Sequence, residues 1–173
     1  MIRFEDVFPT GKIIKPHGIE GEMLFEFKTA VFDTENAEYL LFDMDGILVP
    51  FFIESYRFIS EKAALMHLED VDTDEKARIF SGKTVYLPND FLEKIHPEDV
   101  GADYFIGFDI ADEYGRKLGT VIEIDESTQN MLFVLRTENG SELLIPANDD
   151  LVRKIDHDNS MLYLKLPEGL LDI

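Results

Sequence analysis

The chain of 173 residues contains no cysteine. That excludes disulfide staples, thiol nucleophiles and zinc sites built on thiolate, and it fits a reducing compartment. Long apolar runs are missing too. The most hydrophobic stretch, Tyr39 to Ile59, is broken by Asp43, Asp45, Glu54 and Arg57, so no membrane-spanning helix is expected. The opening MIRFEDVFPT lacks a cationic segment followed by an apolar run, so no signal peptide is expected either. His17, His67, His96 and His157 are scattered without HxH or HxxxH spacing, and no metal site is predicted. Gly11-Lys12 lacks the preceding glycine of a phosphate loop, and no serine sits in a nucleophile elbow. No internal repeat or low-complexity segment stands out. On this reading the chain needs no cofactor.

Positive charge is scarce. Lys and Arg number 16 against 36 Asp and Glu, a formal net charge of -20. Such a surface repels bare nucleic acid, whose binding depends on neutralising phosphates. It steers a basic protein toward itself. The chain is nevertheless no disordered acidic tail: 14 Phe, 6 Tyr and 45% hydrophobic residues can build a real core. The length allows one domain or two small ones.

Against that background Gly11 to Phe27, GKIIKPHGIEGEMLFEF, stands out. Lys12, Lys15 and His17 gather cationic character in an acidic protein. Pro16 fixes φ after Ile13-Ile14, and Gly18 and Gly21 bracket a short connection where positive φ carries no steric cost. Met23, Phe25 and Phe27 then alternate with Glu22, Leu24 and Glu26, the pattern of a half-buried strand. The stretch predicts a hairpin carrying a small cationic, glycine-rich loop. Lys12, Lys15 and His17 are the candidate contacts to phosphate or to a partner, with Gly18 and Gly21 holding the loop shape.

Residues 1–88 read as mainly β. Val31 to Ala37 reads as a polar turn. Tyr39 to Phe42 and Ile47 to Ile53 flank Asp43-Met44-Asp45-Gly46, a strong hairpin signal. Ser55 to Ile59 and Ala64 to Leu68 flank the turn Ser60-Glu61-Lys62. Asp72-x-x-Glu75 resembles a capping box, and Gly82 suits the residue that ends a helix, which predicts one short helix at about 73–81. Thr84 to Leu87 is a further strand. Residues 89–103, with Pro97 and Gly101 and no periodicity, read as a linker. From 104 to 173 the chain is again β. Phe105 to Ala111, Lys117 to Ile124, Met131 to Thr137, Glu142 to Ile145, Val152 to Ile155 and Met161 to Leu166 are separated by turns, among them an Asn139-Gly140 pair that favours a type I′ turn. Short strands at this spacing predict a small barrel or sandwich.

Leu41 to Leu48, LFDMDGIL, resembles the first motif of the haloacid dehalogenase-like phosphatases. There one Asp is the nucleophile, the second an acid/base, and Mg²⁺ bridges carboxylate and phosphate. Asp43 and Asp45 would be that pair. The chemistry needs a central parallel strand flanked by helices, and the surroundings here are short strands with hairpin turns. The turn reading is therefore preferred, with a Mg²⁺-dependent phosphatase as the alternative.

GKIIKPHGIEGE (Gly11 to Glu22) also resembles the N-terminal signature of the ribosome maturation factor RimM family. Leu68-Glu69-Asp70-Val71-Asp72, Ile106-Gly107, DEYGRKLG (Asp112 to Gly119), Leu144-Ile145-Pro146 and the tail Pro167-Glu168-Gly169-Leu170-Leu171-Asp172 fit the same family in order and spacing. The resemblance implies two small β-barrels: a RimM N-terminal barrel at 1–88 and a PRC-barrel at 104–173. It implies a cytoplasmic, non-enzymatic, monomeric assembly factor for the 30S subunit. Such a factor binds a basic ribosomal protein of the subunit head, number nineteen in the series, and assists 16S rRNA processing. The family's Tyr-Tyr pair before Ile106-Gly107, implicated in partner binding, falls on Val100 and Gly101 here. Tyr104 and Phe105 take its place if the linker is shortened. Pro167 to Leu171 is expected to be structural, anchoring the C-terminal barrel or its interdomain contact.

Overall fold

A computed structural model describes residues 1–171 and divides the chain into two units after Ile95. The first is a closed barrel of six strands: β1 (Val7–His17), β2 (Glu22–Phe27), β3 (Tyr39–Met44), β4 (Ile47–Ser60), β5 (Ala63–Leu68) and β6 (Thr84–Pro88). Around the barrel they run β1-β2-β5-β4-β3-β6, and every pairing is antiparallel. The interior holds the alternating residues that the pattern singled out. Met23 and Phe25 are fully buried and Phe27 is 5% exposed, with Ile13, Leu40, Phe42 and Leu87 beside them. Each fully buried side chain of this size contributes roughly 1.5–3 kcal/mol. Phe25, Phe27 and Phe32 pack ring against ring at 5.2–5.3 Å between centroids, within the favoured range for tilted and edge-on pairs.

β4 is longer than the two strands expected at Ile47–Ile53 and Ser55–Ile59, which are one continuous element. It pairs with β3 through residues 47–52 and with β5 through residues 53–60. Pro50 sits in the half that faces β3, so its missing N–H removes no bond to β5. A second helix also appears. Val31–Thr34, expected as a polar turn, is a helical turn, α1, that buries Val31 and Phe32 in the end of the barrel. The predicted helix is shorter than expected: α2 is Asp74–Arg78. Its N-cap is Thr73, whose hydroxyl accepts from Lys76 N at 3.2 Å, and not Asp72. The Asp72 carboxylate instead meets the Lys76 ammonium at 2.7 Å, one turn on.

Residues 89–103 form three 3₁₀ turns, Asn89–Lys94, Pro97–Asp99 and the start of Ala102–Phe105. Leu92 and Ile95 are buried in the first unit, while Val100 and Ala102 pack on the core of the second.

The second unit is a six-stranded sheet: β7 (Asp109–Asp112), β8 (Lys117–Asp125), β9 (Leu132–Arg136), β10 (Glu142–Pro146), β11 (Val152–Asp156) and β12 (Met161–Leu164). The order is β10-β9-β8-β7-β12-β11, with β7 and β12 parallel and the rest antiparallel. Ile110, Val121, Leu135, Ile145, Leu162 and Leu164 form its core. Leu166, Leu170 and Leu171 pack on it, so the tail Pro167 to Leu171 lies against this unit, while Asp172 falls outside the described residues. Two local expectations are corrected. Tyr104 and Phe105 lie in a 3₁₀ turn rather than a strand, which starts only at Asp109. At Asn139-Gly140 only the glycine has positive φ, and Gly140 N donates to Thr137 O, so the turn is type I followed by a left-handed residue. The Asn139 side-chain oxygen Oδ1 accepts from Ser141 N at 3.0 Å and from the Thr137 hydroxyl at 2.5 Å.

Candidate functional site

The cationic stretch forms the β1–β2 hairpin. A strand alternates sides every residue. Strict alternation would put Lys12 on one face and Lys15 and His17 on the other. The register with β2 shifts between Ile13 and Lys15: Ile13 faces Phe25, and Lys15 faces Leu24. The extra residue, Ile14, is a β-bulge. It resets the phase, so that Ile13 is buried while Lys12, Lys15 and His17 are all exposed. Lys12 and Lys15 have no ion pair among the described residues. Arg57 reaches the loop end of the hairpin from β4, its Nη2 3.2 Å from Glu22 Oε2.

The two glycines of the loop serve different ends. Gly18 has φ +68 with open space where a Cβ would stand, so only its backbone angle asks for glycine. Gly21 has φ +91 and is buried, and a Cβ there would lie 1.8 Å from the Val71 carbonyl oxygen. The hairpin and the segment before α2 are thus in backbone contact. Val71 is itself buried, and its carbonyl accepts from His67 Nε2 at 2.9 Å.

Asp43 and Asp45 occupy the β3–β4 hairpin. Asp45 and Gly46 have φ of +56 and +86, the type I′ signature. Asp43 Oδ1 accepts from Gly46 N at 2.7 Å, and its backbone carbonyl accepts from Lys83 Nζ. The pair therefore closes an antiparallel hairpin, unlike the parallel strand end that the phosphatase motif requires.

Tyr104 and Phe105 lie in the second unit, well removed in sequence from the hairpin. Phe105 is 3% exposed and belongs to the core. Tyr104 is half-buried against Phe105 and Phe108, and its hydroxyl lies 3.0 Å from His157 Nδ1. Burial pushes its phenol up to about 12. Val100 and Gly101 come just before this turn, in the preceding extended segment.

Sequence reasoning missed an open groove of about 480 Å³ at one end of the barrel, lined by residues of Pro9–Lys12, Glu26–Lys28 and Ser60–Ala63. Lys12, Lys28 and Lys62 share it. The only signal in the sequence is that each lysine stands in or just after a strand, and the strand order that unites them is a property of the closed barrel.

With this geometry in hand, the known families fall into place. The RimM N-terminal domain family matches residues 8–92, and the RimM PRC barrel domain family matches residues 102–170. The chain belongs to the RimM family. A ribosome maturation factor RimM of Bacteroides fragilis is 45% identical over 173 residues, covering 100% of this chain and 96% of the relative. Its counterpart in Bacteroides thetaiotaomicron is 42% identical, covering 100% of this chain and 97% of the relative. The isolated N-terminal domain of RimM from Thermus thermophilus, solved in solution, is 21% identical, covers 50% of this chain and 93% of its own, and superposes with a TM-score of 0.40. The RimM N-terminal match contains the cationic hairpin, the groove and Asp43-Asp45. The RimM PRC barrel match contains Tyr104 and Phe105. Among the described residues no helix is long and apolar enough to cross a membrane, and no three His, Asp or Glu side chains gather as a metal site.

Proposed function

We propose that this chain is a cytoplasmic maturation factor of the 30S ribosomal subunit that assists 16S rRNA processing by binding, without covalent chemistry. The observation that carries the reading is similarity along the whole chain, at 42% and 45% identity, to proteins named as ribosome maturation factors. The acidic body, at -20, suits a basic ribosomal protein, and number nineteen of the subunit head is the partner proposed. The hairpin supplies the local exception. Lys12, Lys15 and His17 point outward together and contact rRNA phosphate or the ribosomal partner, over a loop shaped by Gly18 and Gly21. In the second unit Tyr104 is the aromatic anchor for the protein partner, and Phe105 seats it from the core.

Co-sedimentation with immature small subunits from cells lacking the endogenous factor tests the reading. Wild-type chain is expected in the subunit fraction. The double substitution Lys12→Glu, Lys15→Glu is expected to weaken that association at least about tenfold at moderate salt. Unchanged binding by the double variant sinks the assignment of the hairpin, and absence of wild-type binding sinks the function.

A further inference from the structure

The groove beside the hairpin has the chemistry of a nucleotide site. Lys12, Lys28 and Lys62 line it, and Glu26 is the one carboxylate among the lining residues, in a chain of net charge -20. Lys12 and Lys28 have no ion pair among the described residues. Pro9, Phe27 and Ala63 contribute apolar lining. Thr10, 1% exposed, also lines the groove, and its hydroxyl has no hydrogen-bond partner among the described residues. At about 480 Å³ the space falls within the roughly 300–1,000 Å³ of small-ligand sites. Against one of its lining residues, Phe27, packs an exposed aromatic. Phe58 is 45% exposed, packs edge-on against Phe27 at 5.9 Å, and is followed by exposed Ile59 before β4 ends at Ser60 on the groove.

A bare inorganic anion would use the lysines and leave the apolar lining and Phe58 unexplained. A base with its phosphates uses all three. Single-stranded nucleic acid is held by a cationic track beside aromatic faces on which bases stack. Duplex RNA keeps its bases stacked inside and presents mainly phosphates and 2′-hydroxyls. We propose that this groove holds one unstacked nucleotide of single-stranded RNA, its phosphates on Lys12, Lys28 and Lys62 and the neighbouring base on Phe58. The choice of RNA among anionic ligands rests on the ribosomal reading above.

Fluorescence anisotropy with the full chain and a labelled single-stranded oligoadenylate of about six nucleotides, at about 50 mM salt, tests this. Lys28→Glu and Phe58→Ala are each expected to weaken binding about tenfold. Lys165→Glu makes the same charge change on the second unit and is expected to weaken it less than about twofold. An RNA duplex of about a dozen pairs should respond to Lys28→Glu and not to Phe58→Ala. Phe58→Leu keeps the apolar packing without the ring, so it should match Phe58→Ala in affinity while melting like wild type. Equal loss for Lys165→Glu, or no loss for either Phe58 variant, overturns the groove. So does a peptide with a free C-terminal carboxylate that binds there when the oligoadenylate does not. Co-sedimentation reports separately. Oligoadenylate binding without it leaves the groove standing and overturns its ribosomal purpose. Co-sedimentation with an oligoadenylate affinity indifferent to Lys28→Glu and Phe58→Ala overturns the groove alone.

Discussion

Gly18 and Gly21 look equivalent in the sequence, as two glycines flanking a turn. The structure separates them. Gly18→Ala adds a Cβ in open space at φ +68 and should cost about 1–2 kcal/mol for the left-handed backbone. Gly21→Ala adds the collision with the Val71 carbonyl to the same penalty and should cost roughly 3 kcal/mol or more. Urea unfolding of the two variants checks the order, and similar midpoints would mean that the hairpin and the Val71 segment are not tied. Asp112 offers a second residue-scale test. Its carboxylate accepts from Tyr114 N, Arg116 N and Arg116 Nε. Burial pushes its pKa up, but the backbone donors of Arg116 and Tyr114 and the nearby guanidinium prevail and leave it below the usual carboxylate range. A depressed folded value contributes stability that is present above the unfolded pKa and is lost as pH falls through the folded one. The stability gap between wild type and Asp112→Asn should therefore be widest near neutrality and shrink below about pH 4, read from urea midpoints across pH.

At the scale of elements, Met23, Phe25 and Phe27 were legible because period-2 alternation encodes burial directly. The hairpins at Asp45-Gly46 and Glu61-Lys62 were legible because turn chemistry is local. What escaped was whatever depends on a neighbour. The bulge at Ile14 follows from the register against β2, so the shared face of Lys12, Lys15 and His17 cannot be read by alternation alone. Helix α1 is only one turn long, and Val31 and Phe32 adopt it because the end of the barrel gives them somewhere to be buried. The cap of α2 lies one residue beyond the expected Asp72, since Asp72 and Thr73 are both good caps and the choice lies in φ and ψ. Thr73→Ala should thus cost about 1 kcal/mol and Asp72→Ala less, by thermal or urea unfolding. The reverse order would restore the capping box.

Over the whole molecule, composition foretold two features that no single element carries: a phenylalanine-rich core and a strongly acidic surface. The family signature carried the barrel architecture, which short strands alone left open between barrel and sandwich. Charge now makes a global prediction. Self-repulsion at -20 opposes the compact state, and salt screens it over about 8–10 Å at physiological strength. Melting temperature should rise between low and moderate sodium chloride. Association with the proposed basic ribosomal partner should weaken over the same range. If both move in the same direction, surface charge is not what governs the association.

The strand that changes neighbours sets a schedule for assembly. β4 completes its ladder only when β3 and β5 are both in place, and β1 closes the barrel by pairing Val7 with Pro88, at the far end of the unit. Closing so distant a contact is slow, because loop entropy is spent before the pairing rewards it. The first strand must wait for the last. During synthesis the cationic hairpin can form early from local contacts, but the lysine-lined groove cannot exist until the β4–β5 turn that carries Ser60, Lys62 and Ala63 has left the ribosome that makes it.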